Sequence, residues 1–247
     1  MSSFLLLSLL DGCNARQDAP SSLDTFGQKS SGTVTEFSAG QFVPGNFTLV
    51  NQSGKPESLF DGQAKVTVVS FLYTHCTDTC PFLAIKLQQL YQLLGPQNRL
   101  VRIVLVSTDP VRDTPAVLSA YTHELGMDGR WSFLTGSLAQ IQPVWKAFKI
   151  VVAQSSAADE AETDKNAEAL GLTMPVKTGP KPSDGLDPQA LQLADQISKK
   201  FGGGYEVTHS TPFWIMGPDH SLRATLEADV TAQELKNEVE KILKAST

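Results

Sequence analysis

Two cysteines four residues apart, Cys76 and Cys80, stand where a strongly β-forming stretch gives way to a helical one, and this junction constrains the chain more than any other feature. Residues 65–73 are nearly all β-branched or aromatic and read as a central strand covered on both faces. Beyond Pro81, residues 82–94 carry Leu83, Leu87, Leu90 and Leu94 at helical spacing and stop at Gly95-Pro96. Thiols placed at such a helix start meet unpaired N–H donors and the positive end of the helix dipole, which favour thiolate over thiol. Were both cysteines helical, their Cβ atoms would lie roughly 5–6 Å apart, beyond the ~3.5–4.5 Å of a disulfide. With Cys76 in the preceding loop, a disulfide or a shared metal comes within reach. The extra residue relative to Cys-x-x-Cys widens the bite enough for a soft ion, and soft thiolates suit Cu(I), zinc or iron–sulfur.

The remaining pattern alternates. Residues 47–50 and 57–60 flank turn residues and predict a leading hairpin. Residues 100–106 read as a second buried strand. Asp113-Thr114-Pro115 then opens a helix to about Leu125, with a hydroxyl or carboxylate as cap. A short strand at 131–134, a helix at 138–148, strands at 205–210, 211–216 and 222–226, and a closing helix at 231–243 complete the order. Residues 154 to about 190 are rich in Ala, Asp, Glu, Lys and Pro, and the stretch from 154 to about 200 reads as a solvated insertion. The expected fold is α/β and thioredoxin-like, with an N-terminal hairpin extension and an insertion before the last hairpin.

A soft ion held by two thiolates needs further ligands, and the chain has four histidines. His75 adjoins Cys76 but alternates away from it on a continuing strand. His123 sits late in a helix and His220 in a turn. His209 occupies a polar loop leading into an apolar strand, in the place where a thioredoxin order brings a loop against the cysteine helix. It is the candidate third ligand. His75 and Asp78 are expected to shape the Cys loop, Asp109, Arg112 and Asp113 to serve as turn, ion-pair and cap residues, and Phe71, Phe213 and Trp214 to fill the core.

The third cysteine, Cys13, ends an apolar run over residues 4–10 that has the length of a signal-peptide core and is too short to span a bilayer. Leu10-Asp11-Gly12-Cys13 resembles a bacterial lipobox, so lipidation at Cys13 is expected, with residues 1–13 as a signal segment, 14–38 as a flexible tether and 39–247 as the folded domain. A net charge of −6 without a basic run argues against nucleic acid as a partner.

Residues 71–81 (Phe-Leu-Tyr-Thr-His-Cys-Thr-Asp-Thr-Cys-Pro), 107–115 (Ser-Thr-Asp-Pro-Val-Arg-Asp-Thr-Pro) and 208–210 (Thr-His-Ser) together resemble the three signatures of the SCO/SenC family, over about residues 40–245. The resemblance implies a thioredoxin-like domain anchored outside the cytoplasm that binds copper, as Cu(I) or Cu(II). It implies delivery of that copper to the dinuclear copper site of cytochrome c oxidase, with other periplasmic copper or thiol proteins as further partners. It carries Cys76 and Cys80 over as thiolate ligands and redox pair, and His209 as third ligand. This chain has Thr208 where the family usually has Asp, and Thr77 where Pro is usual. A chaperone needs all three ligands, whereas the alternative, an extracytoplasmic thiol-disulfide oxidoreductase, needs only Cys76 and Cys80. A peroxidase would need an activating Arg or Thr beside the thiolate, and no such pattern stands out.

Overall fold

The computed structural model describes residues 34–155, 183, 185–210 and 212–246. Its frame is an eight-stranded sheet built around β4 (Val66–Leu72), all seven residues of which are buried. A strand buried on both faces has no polar side to show, which is why its sequence is a continuous apolar and β-branched run rather than an alternation. On one side β4 pairs in parallel with β5 (Val101–Ser107), reached through helix α1 (Thr79–Leu94). β5 pairs in parallel with β6 (Ser132–Thr135), reached through α2 (Pro115–Glu124). The leading hairpin, β2 (Thr48–Asn51) and β3 (Pro56–Ser58), extends the sheet beyond β6. On the other side of β4 lie β9 (Phe213–Met216) and β10 (Leu222–Leu226), antiparallel, and then β1 (Val34–Glu36) at the edge.

The two faces of this sheet bury separate clusters. One packs Val66, Val68, Leu105 and Ile215 under α1, α2 and the closing helix α5 (Ala232–Ala245). The other packs Val69, Phe71, Val104 and Trp214 against Ile141 and Val144 of α3 (Leu138–Ala147) and Phe148 just beyond it. Consecutive residues of β4 thus point to opposite clusters, as the two-residue period of a strand requires. This is the thioredoxin-like order the sequence predicts, hairpin included, with Phe71, Phe213 and Trp214 as core aromatics.

Three expectations change. Val34–Glu36 lies within the stretch read as tether yet pairs with β10, covering an open strand edge. The tail of the stretch read as solvated forms α4 (Pro188–Phe201), which buries Ala190, Ala194 and Ile197 against the α1 side. Its apolar residues recur at helical spacing, from Ala190 through Leu193, Ala194 and Ile197 to Phe201, but the run follows directly on a polar, Pro-containing stretch of sequence. Asp113 is not the cap of α2: the Thr114 hydroxyl accepts from Val117 N–H, and Asp113 is turned inward. Cys13 and residues 156–182 lie outside the described residues.

A two-stranded ribbon, β7 (Val152–Ser155) with β8 (Glu206–His209), stands apart from the main sheet and pairs Val152 with His209. The insertion therefore leaves from one strand of the ribbon, and the chain returns through α4 to the other, which ends at His209.

Candidate metal centre

α1 begins three residues earlier than its leucine spacing suggests, at Thr79, so Cys80 lies in its first turn and Cys76 in the loop before it. The Asp78 side chain makes no capping bond. A sulfur fills the role instead, since Cys80 N–H donates to Cys76 Sγ at 3.5 Å. Both cysteines are buried free thiols. Their environments pull apart. The Cys80 thiol donates into the Cys76 sulfur and, with helical N–H groups, holds its pKa down to about 7 against the cost of burial. Burial and the neighbouring Cys76 charge push Cys80 well above the ordinary thiol range. Cys76 is thus the sulfur that ionises first while Cys80 keeps its proton, and binding a metal to both would displace that proton.

His209 arrives from the end of β8, across 129 residues of sequence, with Nε2 at 3.7 Å from Cys80 Sγ. Its Nδ1 lies 3.0 Å from the Ser210 carbonyl. A carbonyl only accepts, so Nδ1 carries the proton and Nε2 presents a lone pair toward the sulfur. Burial lowers the imidazole pKa, partly offset by the Ser210 bond, and keeps the ring in its neutral, ligating form. Cys80 Sγ and His209 Nε2 are the atoms that would hold a soft ion here, the thiolate supplying charge and the imidazole a neutral lone pair. Cys76, Cys80, His209 and Asp78 line one cleft of about 560 Å3, together with Tyr73 and Glu206. Among the described residues no three His, Cys, Asp or Glu side chains are gathered closely enough to hold a metal ion; the fold brings Cys80 Sγ to His209 Nε2 and Cys80 N–H to Cys76 Sγ.

The segment carrying Asp109, Arg112 and Asp113 supports this cleft from below. Fully buried Asp113 accepts from Thr74 N–H at 3.2 Å, from the Thr74 hydroxyl at 2.6 Å and from the Ser107 hydroxyl at 2.6 Å, fixing the start of the Cys loop to the end of β5. Arg112 pairs with Asp109, lies 3.6 Å from the centroid of the Tyr205 ring, and donates to the Gly203 carbonyl at 2.8 Å. It thereby holds the approach to β8. His75 shapes the loop, as expected, with Nδ1 at 2.9 Å from the Thr74 hydroxyl and its carbonyl accepting from Gly203 N–H at 3.2 Å. Gly202 sits so close that a Cβ there would meet Thr77 Cγ2 at 2.5 Å and the Ser198 carbonyl at 2.4 Å. Sequence reasoning missed Tyr73 and Glu206, whose side chains bond to each other at 2.6 Å. The one available signal was that positions 206 and 208 share a strand face, and 208 is where the family usually has its carboxylate.

The SCO1/SenC family profile matches residues 35–173, more than half of the chain and inclusive of the Cys loop and the 107–115 segment. The chain belongs to the SCO1/SenC family. Among SCO1/SenC relatives, a SCO1 protein homolog of Bacillus subtilis is 34% identical over 118 residues, which cover 46% of this chain and 61% of that protein. Protein SenC of Rhodobacter capsulatus is 32% identical over 130 residues, covering 53% of this chain and 57% of that one. The matches thus span about six tenths of the length of these two curated relatives. Arabidopsis thaliana ScoI, solved with copper bound, shares the fold with a TM-score of 0.57 at 21% identity, over 81% of this chain and 98% of that one. His209 lies beyond the stretch matched by the SCO1/SenC profile, and its place beside Cys80 comes from the geometry of β8.

Proposed function

We propose that this chain is an extracytoplasmic copper chaperone that holds one copper ion on Cys76, Cys80 and His209 and delivers it to the dinuclear copper site of cytochrome c oxidase. The observation carrying this reading is the lone pair of His209 Nε2 facing Cys80 Sγ at 3.7 Å, with Nδ1 committed to a backbone carbonyl. A pair of buried thiols alone serves thiol exchange, but an oriented neutral imidazole beside them adds a ligand. Two thiolates and an imidazole form a soft, low-coordinate set that favours Cu(I) and leaves room for an acceptor's ligands to enter as the copper departs. A copper-bound relative of the same fold and the three signature segments support the same cargo. The reading includes an acyl anchor at Cys13, which lies outside the described residues; among those described, no helix is long and apolar enough to cross a membrane.

A second reading, thiol-disulfide reduction through Cys76 and Cys80, is favoured by the depressed pKa of Cys76 beside a protonated Cys80, the asymmetry expected of an attacking and a resolving thiol. One experiment separates the two. The reduced chain should bind one copper per molecule and the disulfide-oxidised chain none, since a disulfide offers no thiolate. Cells lacking the chain should lose oxidase assembly when copper is scarce. Equal copper loading of both redox forms, or normal oxidase assembly in those cells, would contradict the chaperone reading.

A further inference from the structure

Tyr73, the last residue before the Cys loop, is 1% exposed, and its hydroxyl sits at the junction of that loop with β8. It donates to Glu206 Oε2 at 2.6 Å and accepts from Val207 N–H at 3.1 Å. Glu206 also reaches the loop at Thr77, whose hydroxyl lies 3.5 Å from Oε1. The Tyr73 ring meets the His209 ring edge-on, with centroids 5.8 Å apart. Tyr73 and Glu206 therefore touch both halves of the candidate metal centre and line the same cleft as its three ligands.

A phenol has one proton to give. Glu206 accepts that proton in a hydrogen bond here, so the phenol is committed to β8 through both its donor and its acceptor roles. The carboxylate also stands on the strand face shared with Thr208, where this chain carries no acid of its own.

We propose that Glu206 is a positioning residue of the copper site: its carboxylate holds the Tyr73 hydroxyl and reaches Thr77, and so ties β8 to the Cys loop with His209 facing Cys80. The inference rests on the reading of Cys76, Cys80 and His209 as copper ligands. The Gly203 N–H bond to the His75 carbonyl is a separate tie between the two segments, so loss of Glu206 leaves the loop and β8 connected.

The test uses the full reduced chain, with Cu(I) affinity measured by competition with a chromophoric chelator and the sulfur-to-copper charge-transfer band recorded for Cu(II). Glu206→Ala should weaken Cu(I) binding by about 10- to 100-fold and shift the band. Glu206→Gln, whose amide oxygen still accepts from the phenol, should stay within a few-fold of the parent. Tyr73→Phe cuts the same tie from the other side, so it should also weaken binding, and the double variant should be little worse than the weaker of the two single variants. Parent-like binding by Glu206→Ala, or losses in the two single variants that simply add in the double variant, would overturn the proposal. A parent chain that binds no copper at all would instead overturn the copper reading on which it rests.

Discussion

His209→Ala should cost the reduced chain more than about 100-fold in copper affinity, above the 10- to 100-fold typical of losing an outer hydrogen-bonding partner. The substitution removes a donor atom, not just its support. Disulfide exchange should respond differently. Its rate depends on the thiolate fraction of the attacking sulfur and on access, and the pKa of Cys76 is set by Cys80 and by helical N–H groups rather than by His209. Exchange with a small-molecule disulfide near pH 7 should therefore stay within a few-fold of the parent. Chelator competition and stopped-flow exchange on one preparation give both numbers. Retained copper affinity in His209→Ala would leave the two sulfurs as the functional unit and favour the reductase reading.

Asp113→Ala should lower stability by about 3–5 kcal/mol, because three donors lose one fully buried acceptor and an unsatisfied buried donor costs about 1–3 kcal/mol. Two of the donors are hydroxyls that can turn elsewhere, but Thr74 N–H is fixed by the backbone. For a chain of this size the loss corresponds to a fall in Tm of roughly 10 °C. Asp113→Asn should cost much less. Its amide oxygen can serve Thr74, and its NH2 can donate to the Ser107 hydroxyl, which already accepts from Asp109 N–H. Thermal denaturation of the metal-free chain reads both values. An Asp113→Ala chain as stable as the parent would mean that the carboxylate does not bind the Cys loop to β5.

Local patterns explain what was legible. β4 and α1 announce themselves through a β-branched run and a leucine spacing that meet at the cysteines, and both need only a dozen residues of context. His209 was reachable because thioredoxin order and the Thr-His-Ser signature point to the same loop. α4 was obscured because its run directly continues the polar stretch Lys181-Pro182-Ser183-Asp184, so composition outweighed the helical spacing of Ala190, Leu193, Ala194 and Ile197. Asp113 looked like a cap because Asp-Thr-Pro is a helix-start pattern whichever residue does the capping; only the fold shows that Thr114 caps and that Asp113 serves Thr74, 39 residues away. Glu206 was illegible for a similar reason. Its meaning lies in a hydrogen bond to a tyrosine 133 residues earlier, and no periodicity in either segment encodes that pairing.

Cys76 and Cys80 supply two thiolates and His209 one imidazole, so the coordination shell itself is the most direct thing to measure. X-ray absorption at the copper edge of the reduced, copper-loaded chain should show two sulfur scatterers and one imidazole nitrogen per copper, and the nitrogen should vanish in His209→Ala. A parent spectrum with sulfur scatterers alone, or one unchanged by His209→Ala, would contradict the account.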